Sequence, residues 1–284
     1  MANGIEAIYP LSSTQEGMLF HSLCAPNSGI YFEQVCFDMY GKLNLENLYT
    51  SWSQVIASHA VLRTLFHWED KKRPLQIVLQ QVKIPWEELD WRAYDASKQE
   101  ELLQAFLDAD RRDGFEMSKA PLLRFKIFRM SESKYHFVWS FHHVLMDGWS
   151  MVLLLKEVFK RYGSICQGKN WESSTPPPYR SYVTWLQKQN LAEAERFWKE
   201  ELEGFHTPIS LNIANVLPED QEDQQNFSTY VESLPLQFCL DLGRWTKTNT
   251  LMQEVWAILL NYYSKKYPQK LAVVDGSEKS PIKS

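Results

Sequence analysis

Tyr135 to Ser150 read YHFVWSFHHVLMDGWS, and the run changes character twice. Tyr135, Phe137, Trp139 and Phe141 alternate with His136, Val138, Ser140 and His142. Aromatic and β-branched residues at period two fit a pleated strand with a buried face. Asp147-Gly148 then signals a turn. Beyond it Val152, Leu155, Val158, Phe159 and Tyr162 recur at helical spacing, which predicts an amphipathic helix. The junction reads strand, loop, helix, with two adjacent histidines and an aspartate in the loop. Functional groups are commonly carried on loops held by rigid elements.

If the strand runs through both histidines, His142 and His143 point to opposite faces, one toward a cleft and one toward the interior. An imidazole with an ordinary pKa of about 6.5 suits proton transfer near neutral pH. Asp147, four residues after His143, either orients a ring or pairs with a buried cation and holds the loop. The structural alternative is a core histidine beside a solvent histidine and an ordinary Asp-Gly turn.

Working back from this stretch, Leu123, Phe125 and Ile127 alternate with polar neighbours and predict a strand that pairs with residues 135–143 across Ser131–Lys134. Leu102, Leu103, Phe106 and Leu107 mark a charged amphipathic helix, and Leu75, Ile77 and Leu79 another strand. Arg63 follows a helix that Asn44 opens, with Leu45, Leu48, Trp52, Val55 and Ile56 on its apolar face. A guanidinium in an apolar setting requires a carboxylate, because a buried unpaired charge is costly. Glu33, Val35, Phe37 and Met39 alternate as a strand, and Ser13-Thr14-Gln15-Glu16 reads as a capping box before a helix with Leu19, Phe20 and Leu23 on one face.

Working forward, Thr175-Pro176-Pro177-Pro178 is the clearest linker, since proline stiffens the chain and removes donors. A lobe boundary is expected there. Pro218 to Asn226 is acidic and Gln-rich and reads as a solvated loop. Leu251, Val255, Ile258, Leu259 and Tyr262 mark a last amphipathic helix.

The 284 residues carry a net charge of -5 with no basic run, which argues against nucleic acid as a partner. Hydrophobic residues make up 44%, enough for a real core. Cys24, Cys36, Cys166 and Cys239 are far apart, suggesting neither a zinc site nor a disulfide framework. No export signal and no apolar run long enough to cross a bilayer is read, so a cytoplasmic location and no membrane partner are expected.

Several stretches together resemble one family. His142-His143-Val144-Leu145-Met146-Asp147-Gly148 resembles the HHxxxDG motif of condensation domains from nonribosomal peptide synthetases, and Trp149-Ser150 fits it too. YPLSSTQEGMLFHSL, from Tyr9, looks like the family's opening motif; His21 lies in it and is given no catalytic role. Ser58 to Phe66 resembles RHxxLRTxF, with Ser58 in place of the first Arg. Phe115-Glu116-Met117 and Pro121-Leu122-Leu123-Arg124 look like the FDL…PLLR block. Tyr179 to Trp185 is similar to YxDFxxW, with Ser181 in place of Asp and Tyr182 in place of Phe. The resemblance covers about Ile8 to Tyr263.

The resemblance implies an α+β fold of two-layer α/β sandwich lobes, chloramphenicol acetyltransferase-like. It divides the chain into an N-terminal lobe over 1–174, a partial C-terminal lobe over 175–266 and a divergent tail over 267–284. It implies amide bond formation between donor acyl and acceptor aminoacyl thioesters. Both arrive on the 4′-phosphopantetheine of peptidyl carrier proteins, alongside other synthetase modules, so no tightly held cofactor and no metal are expected. His143 would be catalytic and the Gly148 N–H an oxyanion donor. His142 and Asp147 would be structural, with Arg63 paired to Asp147.

The main rival reading is a non-catalytic, shortened remnant or carrier-protein interaction module. Three further readings fit less well. A two-histidine–carboxylate metal site is disfavoured because adjacent strand histidines point apart. An epimerization domain fits the opening and second motifs less well. A plant-type HxxxD acyltransferase would want a DFGWG stretch, which is not found.

Overall fold

The computed structural model describes residues 4–26, 28–69, 73–169, 176–204 and 248–263. Two compact units divide the chain, Met1–Gln189 and Asn190–Ser284.

In the first unit the elements run β1 (Ile5–Pro10), α1 (Ser13–Cys24), β2 (Phe32–Tyr40), α2 (Leu45–Ser58), a 3-10 turn (Ala60–Arg63), β3 (Thr64–His67), β4 (Leu75–Leu79), β5 (Trp86–Asp90), α3 (Ala96–Asp113), β6 (Leu123–Arg129), β7 (Lys134–His142), a second 3-10 turn (His143–Leu145), α4 (Gly148–Cys166) and α5 (Tyr179–Leu186). The second unit contributes α6 (Leu191–Glu201) and α7 (Thr248–Tyr263).

β7 lies inside a four-stranded sheet of order β2-β7-β6-β5. It pairs antiparallel with β2 (Val35 opposite Trp139) and with β6 (Phe125 opposite Trp139). The β6–β7 pair is the hairpin predicted across residues 131–134. β5 joins the far edge in parallel with β6, a pairing that needs a crossover, which α3 supplies. A second, three-stranded sheet has the order β1-β4-β3.

The alternation in β7 decides the layers. Phe137, Trp139 and Phe141 face α2 and α4, where Trp52 sits against Phe125 and Trp139 with ring centroids 4.5 and 4.8 Å apart. Val138, one residue out of phase, joins Phe128 and Leu103 under α3 on the other face. On that second face Ser140 meets Asp110 of α3. The Asp110 carboxylate accepts from Ser140 Oγ at 2.5 Å, Gln34 Nε2 at 2.8 Å and Arg124 Nε at 2.5 Å. This one buried acidic side chain ties α3 to β2, β6 and β7.

Several local expectations shift. The capping box is built by Ser12 and Gln15, one residue before the pair expected at Ser13 and Glu16. On α1 only Leu19 of the apolar trio is buried; Phe20 and Leu23 are exposed. On α4 the buried positions are Leu154, Val158 and Arg161, while Val152 and Phe159 are exposed. Arg161 occupies the inner face because Glu157 pairs with it at 2.6 Å, so a count of apolar residues alone rotates the stripe. The first compact unit continues past the proline linker to Gln189. There α5 buries Val183 beside Tyr9 and Val78, and Tyr179 Oη donates to Ser12 Oγ at 3.2 Å. The acidic stretch 218–226 and the tail from 267 lie outside the described residues. No helix among the described residues is long and apolar enough to cross a membrane.

Candidate active site

The pairing of β7 ends at His142, whose N–H donates to Leu122 O at 3.0 Å; the next N–H, that of His143, donates to Tyr31 O at 2.8 Å. The chain then tightens. Val144 N–H donates back to His142 Nδ1 at 3.1 Å, and Met146 N–H to His143 O at 3.2 Å. Val144, Leu145 and Met146 are buried as a plug beneath the turn. Gln15 of α1 donates to Val144 O at 3.4 Å. Asp147 then caps α4, accepting from Ser150 N–H at 2.8 Å.

This turn sets the adjacent histidines apart. His142 is buried, and its Nδ1 accepts from Val144, so its proton resides on Nε2. From there it donates to Ser22 Oγ at 3.1 Å, and that hydroxyl donates onward to Met18 O at 2.8 Å. Burial, and after it the neighbouring His143, push the His142 pKa down to about 4. His142 is therefore a neutral, fixed tautomer at neutral pH.

His143 is partly exposed, with Nδ1 3.7 Å from a Glu33 carboxylate oxygen. Its ring lies parallel to that of Tyr31, with centroids 6.4 Å apart and 6° between planes. It opens on a cleft of about 1050 Å³ that Arg63, His59, Asp147, Glu157 and Tyr179 also line. Of the residues singled out in the sequence, the cleft gathers His143, Asp147 and Arg63. His142 lies behind it in the core. Gly148 is exposed at the first position of α4 and is not part of the lining. A Cβ there would meet nothing within 4 Å, and its backbone conformation is open to any residue, so glycine is not demanded by packing within this unit.

Arg63 does not pair with Asp147. Its guanidinium is buried and bonds to the Glu6 carboxylate at 2.6 Å, to Ile56 O at 3.1 Å and Ala57 O at 3.3 Å, and to Leu79 O and Gln80 O. Ile56 and Ala57 are in the last turn of α2, where carbonyls lack helical partners. Arg63 thus closes the end of α2 onto β1 and β4, and Glu6 supplies the compensating charge. Asp147 is engaged elsewhere: its hydrogen bonds from Ser150 hold its carboxyl below the usual range, and a carboxylate at a helix N-terminus is favoured by the dipole. We expect Arg63→Met to cost about 2 kcal/mol, through orphaned carbonyls, and Asp147→Ala about 1 kcal/mol, through the lost cap. The double variant should show a coupling below about 0.5 kcal/mol in urea unfolding. A coupling of about 1 kcal/mol or more would restore the direct pair.

His142 makes stability depend on pH in a definite direction. Below about pH 6.5 the unfolded chain takes up a proton that the folded chain refuses until about pH 4. Stability present above this window is therefore lost as pH falls through it, by on the order of 3 kcal/mol. His142→Asn keeps an acceptor near the Nδ1 position and removes the titration. Its urea midpoint should fall less between about pH 7 and pH 4.5 than that of the native chain. The carboxylates whose pKa values are lowered, Asp38, Asp90, Glu116, Asp147 and Glu157, act in both chains and cancel. Equal slopes would show that His142 is not the titrating group.

Sequence reading missed Glu6, Tyr31, Glu33 and Glu157. Glu157 joins His59 at 2.8 Å and Arg161 in the cleft wall. Burial alone would raise its pKa, but those hydrogen bonds outweigh it and hold the carboxyl low. His59 lies within the motif from Ser58 to Phe66; its spacing gave no pointer to residue 157. Among the described residues, no group of three His, Cys, Asp or Glu side chains is placed to hold a metal ion.

Comparison with known proteins bears on the same stretch. The chain is 42% identical over 265 residues to one of the linear gramicidin synthase subunits of Brevibacillus parabrevis, covering 91% of this chain and 3% of that protein. It is 34% identical over 263 residues to surfactin synthase subunit 2 of Bacillus subtilis (strain 168), covering 92% of this chain and 7% of that one. It therefore spans only a few per cent of the length of these curated relatives. Among solved structures, the starter condensation domain of rhizomide synthetase matches with a TM-score of 0.64 at 20% identity, over 72% of this chain and 50% of that chain. A four-domain nonribosomal peptide synthetase bound to AMP and glycine matches with a TM-score of 0.58 at 24% identity, over 70% of this chain and 15% of that one. These likenesses establish the chloramphenicol acetyltransferase-like fold, with its mixed helix and sheet. The condensation-domain family model matches residues 5–274, from β1 through the histidine turn and beyond α7, and by that match the chain belongs to the condensation-domain family.

Proposed function

We propose that this chain joins a donor acyl group to an acceptor aminoacyl group, making an amide bond between two thioesters presented on the 4′-phosphopantetheine arms of peptidyl carrier proteins. The observation that carries the reading is His143: a partly exposed imidazole at the mouth of a cleft, backed by a neutral, tautomer-locked His142. The acceptor nitrogen attacks the donor thioester carbonyl. A C–N bond forms, the C–S bond breaks, and the donor arm leaves as a thiol. A neutral His143 takes the proton that the attacking nitrogen must lose. The first N–H of α4, on Gly148, is assigned as the donor for the developing oxyanion, next to the cleft-lining Asp147, whose cap takes Ser150 N–H instead. His142, Asp147 and Arg63 hold the frame. Holding both substrates in one cleft contributes to the rate by proximity.

The partners of this reading are a donor carrier, an acceptor carrier and the neighbouring modules of a synthetase, and its place is the cytoplasm. The test is to mix the chain with a loaded donor carrier and a loaded acceptor carrier and read the acceptor by mass spectrometry. A condensed acyl-aminoacyl product is expected. No product from a folded chain, with carriers that work with an intact synthetase, would overturn the activity and favour an interaction module.

A further inference from the structure

Tyr31 is the one non-glycine residue among the described residues with a positive φ, at 60°. That region crowds an L side chain and is ordinarily left to glycine. The local cause is a tight turn: Phe32 N–H donates to Gly29 O at 3.2 Å, which puts Tyr31 at the third position. A turn in which, of the two central residues, only the second has positive φ is of the type that calls for glycine there. The chain after it is anchored. Phe32 is buried, stacked on Phe115 at 5.3 Å and beneath Arg124 at 5.3 Å, and its carbonyl accepts from Arg111 at 3.1 Å.

A side chain placed where glycine is easier invites the question of what that side chain does. Here its neighbours answer. Tyr31 O accepts the His143 N–H at 2.8 Å. Its ring is parallel to the His143 ring, tilted beside His142 at 6.1 Å, and edge-on to His21 at 6.3 Å. One residue thus grips His143 by the backbone and sets an aromatic ring parallel to its imidazole.

We propose that Tyr31 is a positioning residue for His143: its strained backbone holds an aromatic ring parallel to and beside the imidazole and fixes the direction in which that ring meets substrate. The proposal rests on the amide-forming reading for its kinetic arm and on the ring stack alone for its chemical arm. The backbone need and the ring need are separable. Glycine satisfies the first, phenylalanine the second, alanine neither.

The experiment compares Tyr31→Phe, Tyr31→Gly and Tyr31→Ala with the native chain. Amide formation should follow the ring: native level in Tyr31→Phe, and a loss of about 10- to 100-fold in both Tyr31→Gly and Tyr31→Ala, the scale of a misplaced reacting group. Melting temperature should follow the backbone, with Tyr31→Gly above Tyr31→Ala. Carbethoxylation of His143 by diethyl pyrocarbonate, mapped by mass spectrometry, should be several-fold faster in Tyr31→Gly than in the native chain and unchanged in Tyr31→Phe. Activity that tracks melting temperature, or a fully active Tyr31→Gly, overturns the proposal. If the folded native chain forms no amide with carriers that work with an intact synthetase, the amide-forming reading fails instead. The carbethoxylation rates then decide alone: an unchanged rate in Tyr31→Gly removes the positioning role, and a raised rate upholds it.

Discussion

Replacing His143 by alanine is expected to lower the rate of amide formation by about 10²- to 10⁴-fold, the usual contribution of a positioned acid or base. The fold should barely notice. The imidazole is partly exposed; its contacts are the Tyr31 stack and a Glu33 oxygen at 3.7 Å. The turn itself is held by main-chain groups, by Gln15 and by the apolar plug of Val144, Leu145 and Met146. Single-turnover assays with loaded carriers, beside calorimetry, separate the two effects. His142→Ala provides the contrast. It removes a buried ring that accepts from Val144 and donates to Ser22, so its loss should register first as instability. Equal activity in His143→Ala and the native chain would remove His143 from the chemistry.

The second large effect concerns stability. Asp110→Ala is expected to destabilise the first unit by about 3 kcal/mol, because removing one partner of a buried ion pair strands the other. Asp110 is 5% exposed and serves three donors: Arg124, Gln34 and Ser140. Arg124 retains two backbone acceptors, Gly114 O at 2.7 Å and Asp110 O at 2.6 Å, and it is partly exposed, so the cost lies at the lower end for such pairs. Urea unfolding gives the number. Removing the stranded cation as well, in Asp110→Ala with Arg124→Met, should recover part of the loss. A double variant no better than the single would show that the charge was never stranded, and a single variant within about 0.5 kcal/mol of native would show that the network contributes little.

The fold was legible where one physical signal dominated. In residues 135–142 alternation, aromatic content and β-branching all point the same way, so strand, hairpin partner and buried face could be read together. The same holds for α2, where Asn44 caps and Leu48, Trp52, Val55 and Ile56 are all buried. Reading failed where a polar group took an inside position. Arg161 rotates the buried face of α4, and Gln15 rather than Glu16 completes the capping box. Arg63 was rightly expected to need a carboxylate, but the partner, Glu6, comes from a strand with no alternation to betray it. Tyr31 was invisible for a different reason. A positive φ at a non-glycine residue leaves no mark in composition or spacing, since the residue that advertises such a conformation is glycine. Of the site, the histidines and Asp147 could be found from type and spacing, whereas what each touches depends on chain segments far away in sequence.

The burial of His142 has a consequence in proton counting. Two adjacent imidazoles would ordinarily share their titration, each proton making the next harder to add, so that the observed steps belong to the pair. Here one member is held out of the exchange until about pH 4. Above that, His142 stays uncharged, and it adds no positive charge to the turn next to the N-terminus of α4. A substrate approaching the cleft therefore has an uncharged ring behind the turn, whose one proton is committed to Ser22.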